Sequence, residues 1–239
     1  MGSTVYTTIT RQSGLMNEMR VVANNIANLA TTGFRTETAV FSEYLMPLGQ
    51  NEGSVSMARA NAHVTSFQQG GMTKTGGTFD LGINGEGFFQ LETPAGIRIT
   101  RAGAFSPNAA GELVSPEGFR LLDVGGAPIF APSDVGQISI SADGTMSADG
   151  NPFSQIGLVV PSDFNTLERE DGVRFKSNSE LLPADTATLS QGFLESSNVE
   201  AVQQIARMIE VQRSYEMGQS FLEKEDERLR SIMTLVGGR

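Results

Sequence analysis

VYTTITRQSGLMNEMRVVANNIANLATTGF, running from Val5 to Phe34, places Val5, Ile9, Gln12, Met16, Met19, Ala23, Ile26 and Ala30 at gaps that alternate between four and three. Only Gln12 in that row is polar. A period of 3.5 marks a helix that buries a narrow stripe against other helices rather than against a sheet. The row ends at Thr31-Thr32-Gly33-Phe34, where two β-branched residues precede a glycine free to take positive φ and close the helix. Charges are confined to Arg11, Glu18 and Arg20, far fewer than an exposed single helix of this length carries. Residues 1–35 are therefore read as a long helix with a partner. The plainer alternative for this segment alone is an amphipathic helix packed on a globular core.

The far end of the chain decides between them. Ala201, Met208, Tyr215, Leu222, Leu229 and Val236 form one seven-residue row, all apolar. Ile205, Gln212, Gln219, Asp226 and Met233 form a second, with a polar middle. Polar residues on such a seam cost stability but fix register and partner number. Glu210/Arg213, Glu225/Arg228 and Asp226/Arg230 stand at helical spacing on the outer face. Asn198 is placed to cap the helix and Gly237-Gly238 to end it, giving a second long helix over 198–239. Helices at both ends bracketing a different middle predict a stalk through which the chain enters and leaves one head.

The middle has a strand texture. Phe79-Asp80-Leu81-Gly82-Ile83 alternates with period two, and short strand-like pieces then recur to Val160, broken by Gly, Pro, Asn and Asp. Ser141-Ala142-Asp143-Gly144 returns as Ser147-Ala148-Asp149-Gly150, two Asp-Gly turns bounding a very short strand. This predicts a central antiparallel all-β domain over 79–180. Thr166 to Glu180 reads as a charged loop with one strand around Phe175. Residues 36–78 read as an extended connector, and 181–197 as the return connector. The fold class is α+β, with the terminal helices forming a coiled-coil-like stalk.

Composition narrows the function classes. The 239 residues contain no cysteine, no tryptophan and one histidine, which removes thiol nucleophiles, thiolate metal sites and multi-histidine metal centres. His63, in Asn61-Ala62-His63-Val64-Thr65, reads as a surface residue. The net charge of −10 is uneven: residues 1–78 carry +1, residues 79–192 carry −9 and residues 193–239 carry −2. An acidic head and near-neutral helices argue against nucleic acid or an anionic membrane as partner. No apolar run approaches a membrane span, and the N-terminus lacks the basic leader and apolar block of a cleavable signal.

Candidate chemistry is sparse. Gly82-Ile83-Asn84-Gly85-Glu86-Gly87 has neither the dinucleotide nor the P-loop spacing, and Phe88-Phe89 continues it as strand, so it reads as a hairpin turn. Asp143 and Asp149 lack the ligand ladder of a calcium loop. Glu168, Glu170 and Asp171 read as a solvated acidic loop. No cofactor, metal, small-molecule substrate or catalytic activity is expected.

Three separated stretches nevertheless resemble one family. Val22-Ala23-Asn24-Asn25-Ile26-Ala27-Asn28-Leu29-Ala30-Thr31-Thr32-Gly33-Phe34-Arg35 is similar to the N-terminal signature of the flagellar rod and hook proteins. Gly192-Phe193-Leu194-Glu195-Ser196-Ser197-Asn198-Val199, with Met208 to Glu216, resembles that family's other end. Phe79 to Phe89 and Thr100-Arg101-Ala102-Gly103-Ala104-Phe105 resemble its centre. By size the resemblance is to the mid-sized rod members, and the N-terminal residues point to the proximal-rod type. It implies a structural subunit exported unfolded by the flagellar type III apparatus without a cleaved leader. The subunit would polymerise with itself and other rod proteins in the periplasmic part of the basal body, helices inside and acidic head outside. The assembly interface would then use Val5, Ile9, Met16, Met19, Ala23, Ile26, Met208, Tyr215, Leu222 and Leu229. Asn24, Asn25 and Asn28 would either bond neighbouring subunits or cap the helix end. The competing readings are a distal-rod or short hook-like member, and, in another class, a helix-dimerised soluble β-module that binds or cleaves glycan.

Overall fold

The computed structural model describes residues 2–47, 54–132 and 135–237, and side chains over 7–40, 63–132 and 135–234. The architecture is α+β, with a helix near each terminus and an antiparallel β region between them. The chain forms two units: Met1–Ala27, Thr36–Ser66 and Val199–Arg239 make the first, and Asn28–Arg35 with Phe67–Asn198 make the second.

In the first unit, helix α1 (Gly2–Ala27) packs on strands β1 (Glu37–Pro47) and β2 (Ser54–Thr65) and on helix α2 (Ala201–Gly237). The opening of α1 is rich in Thr and other β-branched residues, which are weak helix formers, so the helix depends on this packing rather than on propensity. Two neighbours give it a wide buried arc: Leu15, Glu18, Val21, Val22 and Asn25 are buried. The row expected from periodicity lies beside that arc, with Ile9 53% and Met16 42% exposed. The helix also ends earlier than its signature suggested. The Asn28 carbonyl accepts from Thr31 N–H at 3.2 Å and its side-chain oxygen from the Thr31 hydroxyl at 3.0 Å, so residues after Ala27 form a turn and Ala30 is not on the helix.

Residues 36–78, read above as an extended connector, contain a long antiparallel hairpin: β1 pairs with β2 from Glu37↔Thr65 to Pro47↔Ser54, with one register shift at Val40/Phe41. None of the described helices is long and apolar enough to cross a membrane.

The second unit is built from short strands: β3 (Met72–Lys74), β4 (Leu81–Asn84), β5 (Phe88–Thr93), β6 (Gly96–Thr100), β7 (Ser106–Pro107), β8 (Leu113–Val114) and β9 (Arg120–Leu121). They continue with β10 (Ile138–Ile140), β11 (Thr145–Ala148), β12 (Asn151–Gln155), β13 (Leu158–Pro161), β14 (Leu167–Asp171), β15 (Arg174–Ser177), β16 (Leu181–Pro183), β17 (Thr188–Gln191) and β18 (Phe193–Glu195). The main sheet runs β14-β15-β6-β5-β9-β8-β7. Strand β5 organises it. One edge pairs with β6, and the other pairs first with β13 and then with β9.

Successive side chains of a strand point to opposite faces. Phe89 and Leu91 accordingly enter a large core with Leu81, Ile83, Leu113, Leu121 and Met146, while Phe88 enters a smaller one with Ile99, Val159 and Phe175. The expected double Asp-Gly turn is present around β11. Asp149 and Gly150 both take positive φ, at 48° and 86°, which makes the two-residue hairpin turn whose twist matches its strands. The 166–180 segment is more ordered than a charged loop. It is the β14–β15 hairpin, with Glu170 paired to Arg98.

Candidate functional site

Two features in the two units carry the residues singled out by sequence. In the first unit, α1 and α2 run antiparallel, which a ladder of polar side chains records. Gln12 Nε2 donates to the Tyr215 carbonyl at 2.9 Å. Arg207 Nε donates to Glu18 at 2.6 Å. Asn25 Nδ2 donates to the Gln204 side chain at 3.1 Å and to the Glu37 carbonyl at 2.8 Å, and its oxygen accepts from Glu37 N–H at 3.0 Å. Asn25 thus acts as a strand-like partner to the first residue of β1. It is committed inside the unit, with 1% of its surface exposed.

The less exposed row of α2 reads Gln204, Met208, Val211, Tyr215, Gly218, Leu222 and Glu225, again at gaps of four and three. Met208, Tyr215 and Leu222 are therefore on it, as expected. Its companion row is Val211, Gly218 and Glu225, whereas the expected Ile205, Gln212, Gln219 and Asp226 are exposed, one residue out of phase. The reason is local. Val211 is apolar and 1% exposed, and Gly218 lets α1 approach, since a β-carbon there would stand 2.3 Å from Gln12 Nε2. Of the remaining expected interface residues, Met19, Ile26 and Asn28 are half-buried, Ala23 and Asn24 are exposed, and Leu229 is 40% exposed. The side chain of Val5 lies outside the described residues.

In the second unit, three charges that the motifs contain, but to which sequence reading assigned no role, meet at one point. Glu195 Oε1 pairs with Arg35 Nη2 at 2.8 Å, and Glu195 Oε2 accepts from Arg101 Nε at 2.7 Å. All three residues are at most 3% exposed. Gly70 N–H adds a bond to Glu195 Oε1 at 2.9 Å. Arg101 also donates to the carbonyls of Ile83, Gly85 and Gly87 at 3.1, 2.9 and 2.6 Å, tying down the turn between β4 and β5. Arg35 donates to the Gln68 carbonyl.

Burial pushes the Arg35 guanidinium down to about 10, against the pull of Glu195, and lowers Arg101 by the same cause. Removing one partner from such a cluster strands a buried charge, at a cost of roughly 3–5 kcal/mol. The surrounding backbone is equally tight. Gly33 has φ +69°, its N–H donates to the Glu195 carbonyl at 2.8 Å, and a β-carbon on it would stand 2.4 Å from Ala102 N. The only signal in the sequence was that each charge stands alone among small and apolar residues of its motif.

No group of three or more His, Asp or Glu side chains placed to hold a metal occurs among the described residues, and His63 is exposed. What the geometry offers is, in the first unit, a helix pair with exposed apolar residues and, in the second, a β unit locked by segments from three distant parts of the chain.

Those three parts are the ones that family comparison recognises. Residues 6–35 match the model described as flagella basal body rod protein, residues 82–148 the flagellar hook protein FlgE/F/G D1 domain, and residues 190–235 the flagellar basal body rod FlgEFG protein C-terminal region. The chain belongs to the flagellar basal-body rod and hook protein family. It is similar to the flagellar basal-body rod protein FlgF of Caulobacter vibrioides, 37% identical over 99% of each chain, and to FlgF of Mesorhizobium japonicum, 36% identical over 90% of each. The flagellar basal-body rod protein FlgG of Bacillus subtilis is 28% identical over 97% of this chain and 98% of its own. Arg35, Arg101 and Glu195 come one from each matched segment.

Proposed function

We propose that this chain is a structural subunit of the flagellar basal-body rod, of the proximal FlgF type, which polymerises through α1 and α2. The observation that carries the reading is end-to-end similarity to FlgF of Caulobacter vibrioides, over 99% of both chains. The helices supply a means. Ile9, Met16, Ile205, Ile209, Met217 and Phe221 are all 40% or more exposed, an apolar surface that a second copy or another rod protein would cover. Coiled-coil-like packing between subunits, delivery by the flagellar export apparatus, a place in the periplasmic rod and the absence of catalysis belong to the same proposal. FlgG of Bacillus subtilis matches over 97% of the chain at lower identity, so a distal-rod role is the second reading.

The test is complementation of a strain lacking this gene with Ile9→Asp and Met16→Asp. Both sites are exposed, so the purified variants should keep their helix content. A carboxylate buried at a subunit contact without a partner costs several kcal/mol, and the cost repeats in every copy. Secreted protein without basal-body rods is the expected result. Normal motility from both variants would remove α1's outer face from the assembly. Basal bodies that stop after the proximal rod when the gene is deleted would transfer the chain to the distal-rod role.

A further inference from the structure

We infer that the Arg35–Glu195–Arg101 cluster is a completion latch: the second unit cannot close until the C-terminal motif has arrived, so folding of the β region is coupled to delivery of nearly the whole chain. The inference stands on the geometry of that unit and not on the rod assignment.

Arg35 and Arg101 both precede most of the β region in sequence, and each is almost fully buried once the unit has formed. The carboxylate that lies between them is supplied only by Glu195, on β18. A chain in which residues up to 191 are present but β18 is not would have to bury two guanidiniums side by side with no counter-charge. That arrangement is disfavoured twice, by desolvation and by mutual repulsion.

The backbone repeats the logic. Glu195 gives its carbonyl to Gly33 N–H, Ser196 N–H donates to the Gly71 carbonyl, and Asn198 N–H donates to the Phe34 carbonyl. The Asn198 side-chain amide donates to the Gln68 carbonyl at 2.8 Å. Four consecutive residues of the C-terminal motif thus hold, through three of their members, both flanking segments that enter the unit, Asn28–Arg35 and the stretch after Phe67. Strand β17 adds to this, since it is the hydrogen-bonded partner of β4, whose Leu81 and Ile83 are fully buried in the large core. The last pieces in sequence are therefore structural neighbours of the first pieces of the core. Among the unit's other ion pairs, Arg120–Glu92 differs in kind because both side chains are 42% exposed and water can serve either partner.

The experiment uses the complete sequence on arrested ribosomes, with linkers that leave Glu195 either inside or outside the ribosome, and reads protease resistance of the 81–160 region. Wild-type chain should become resistant only when Glu195 is outside. Full-length Glu195→Gln, which keeps the shape but removes the charge, should stay sensitive at both lengths. Glu92→Gln should behave as wild type. Resistance of the wild-type chain with Glu195 still inside would overturn the latch, as would resistance of Glu195→Gln outside. Sensitivity of Glu92→Gln outside would also overturn it, because loss of any ion pair would then have the same effect.

Discussion

Asp143 sits at the first Asp-Gly turn, where the hydroxyls of Ser141 and Thr145 donate to its carboxylate and Thr145 N–H adds a bond at 3.2 Å. These bonds favour the ionised form and hold its pKa at about 2, below the ordinary 3.8. As pH falls, the unfolded chain takes up this proton before the folded one does. The contribution is therefore fully present above 3.8 and is lost as pH falls through about 2. Asp143→Asn should lower the urea midpoint at neutral pH, and the two proteins should converge near pH 2. A gap that persists unchanged to that pH would refute this role.

The turn itself was legible, because Asp-Gly is a local signal. Arg169 was not. It reads as part of a charged loop, yet its guanidinium lies over the rings of Phe34 and Phe175, 4.6 and 4.8 Å from their centroids. Charge predicts exposure on average, and it fails where a planar cation stacks on aromatic faces from remote segments. Glu195 escaped for the same reason: nothing near it in sequence names its partners.

At the scale of elements, both helices and the repeated Asp-Gly hairpin could be read directly, because periodicity and turn chemistry are carried within the segment. The companion row on α2 could not. Met208, Tyr215 and Leu222 accept a partner row three or four residues on, and only the meeting with α1 selects Val211 and Gly218. The β1–β2 hairpin was missed because its second strand carries Ala58, Ala60 and Ala62 where a half-buried strand usually shows larger residues. Alanine in alternation was the available signal. Gly218 gives the element-scale test. Glycine inside a helix costs about 1 kcal/mol relative to alanine, and here the gain is withheld because the methyl group would displace Gln12 from the Tyr215 carbonyl. Gly218→Ala should therefore change helix-pair stability by well under ~1 kcal/mol, since a hydrogen bond worth a similar amount is lost. In a Gln12→Ala background the same substitution should recover about the full 1 kcal/mol. Equal effects in the two backgrounds, measured by thermal melting of helicity, would show that Gln12 does not set the spacing of the helices.

For the molecule as a whole, the sequence suggested two terminal helices around one central head, whereas the two units interleave further, exchanging segments between residues 28 and 66. Asn28–Arg35 belongs with Phe67–Asn198, and Thr36–Ser66 belongs with the helices. Periodicity marks where an element starts and stops but not which unit it joins. That assignment is made by contacts such as Gly33 against Ala102 and Asn25 against Glu37. Both hydrophobic clusters of the β region draw all their members from the second unit. The first unit has its own buried residues in Leu15, Val21, Val22 and Val211. The two should therefore lose structure separately. Val211→Asp places a carboxylate at a site with 1% exposure, facing Leu15 and Glu18 on a groove that holds one cation, Arg11, besides the already paired Arg207. The cost of several kcal/mol exceeds what one antiparallel helix pair can spare. Far-ultraviolet dichroism should report loss of helix at ambient temperature. Hydrogen exchange across 81–160 should keep its wild-type protection, because Leu81, Phe89, Leu121 and Met146 are untouched. Phe89→Ala, at a fully buried position of the large core, should do the reverse, costing about 3–5 kcal/mol of β-unit stability and leaving helicity in place. Collapse of both signals in either variant would mean that the two units fold as one.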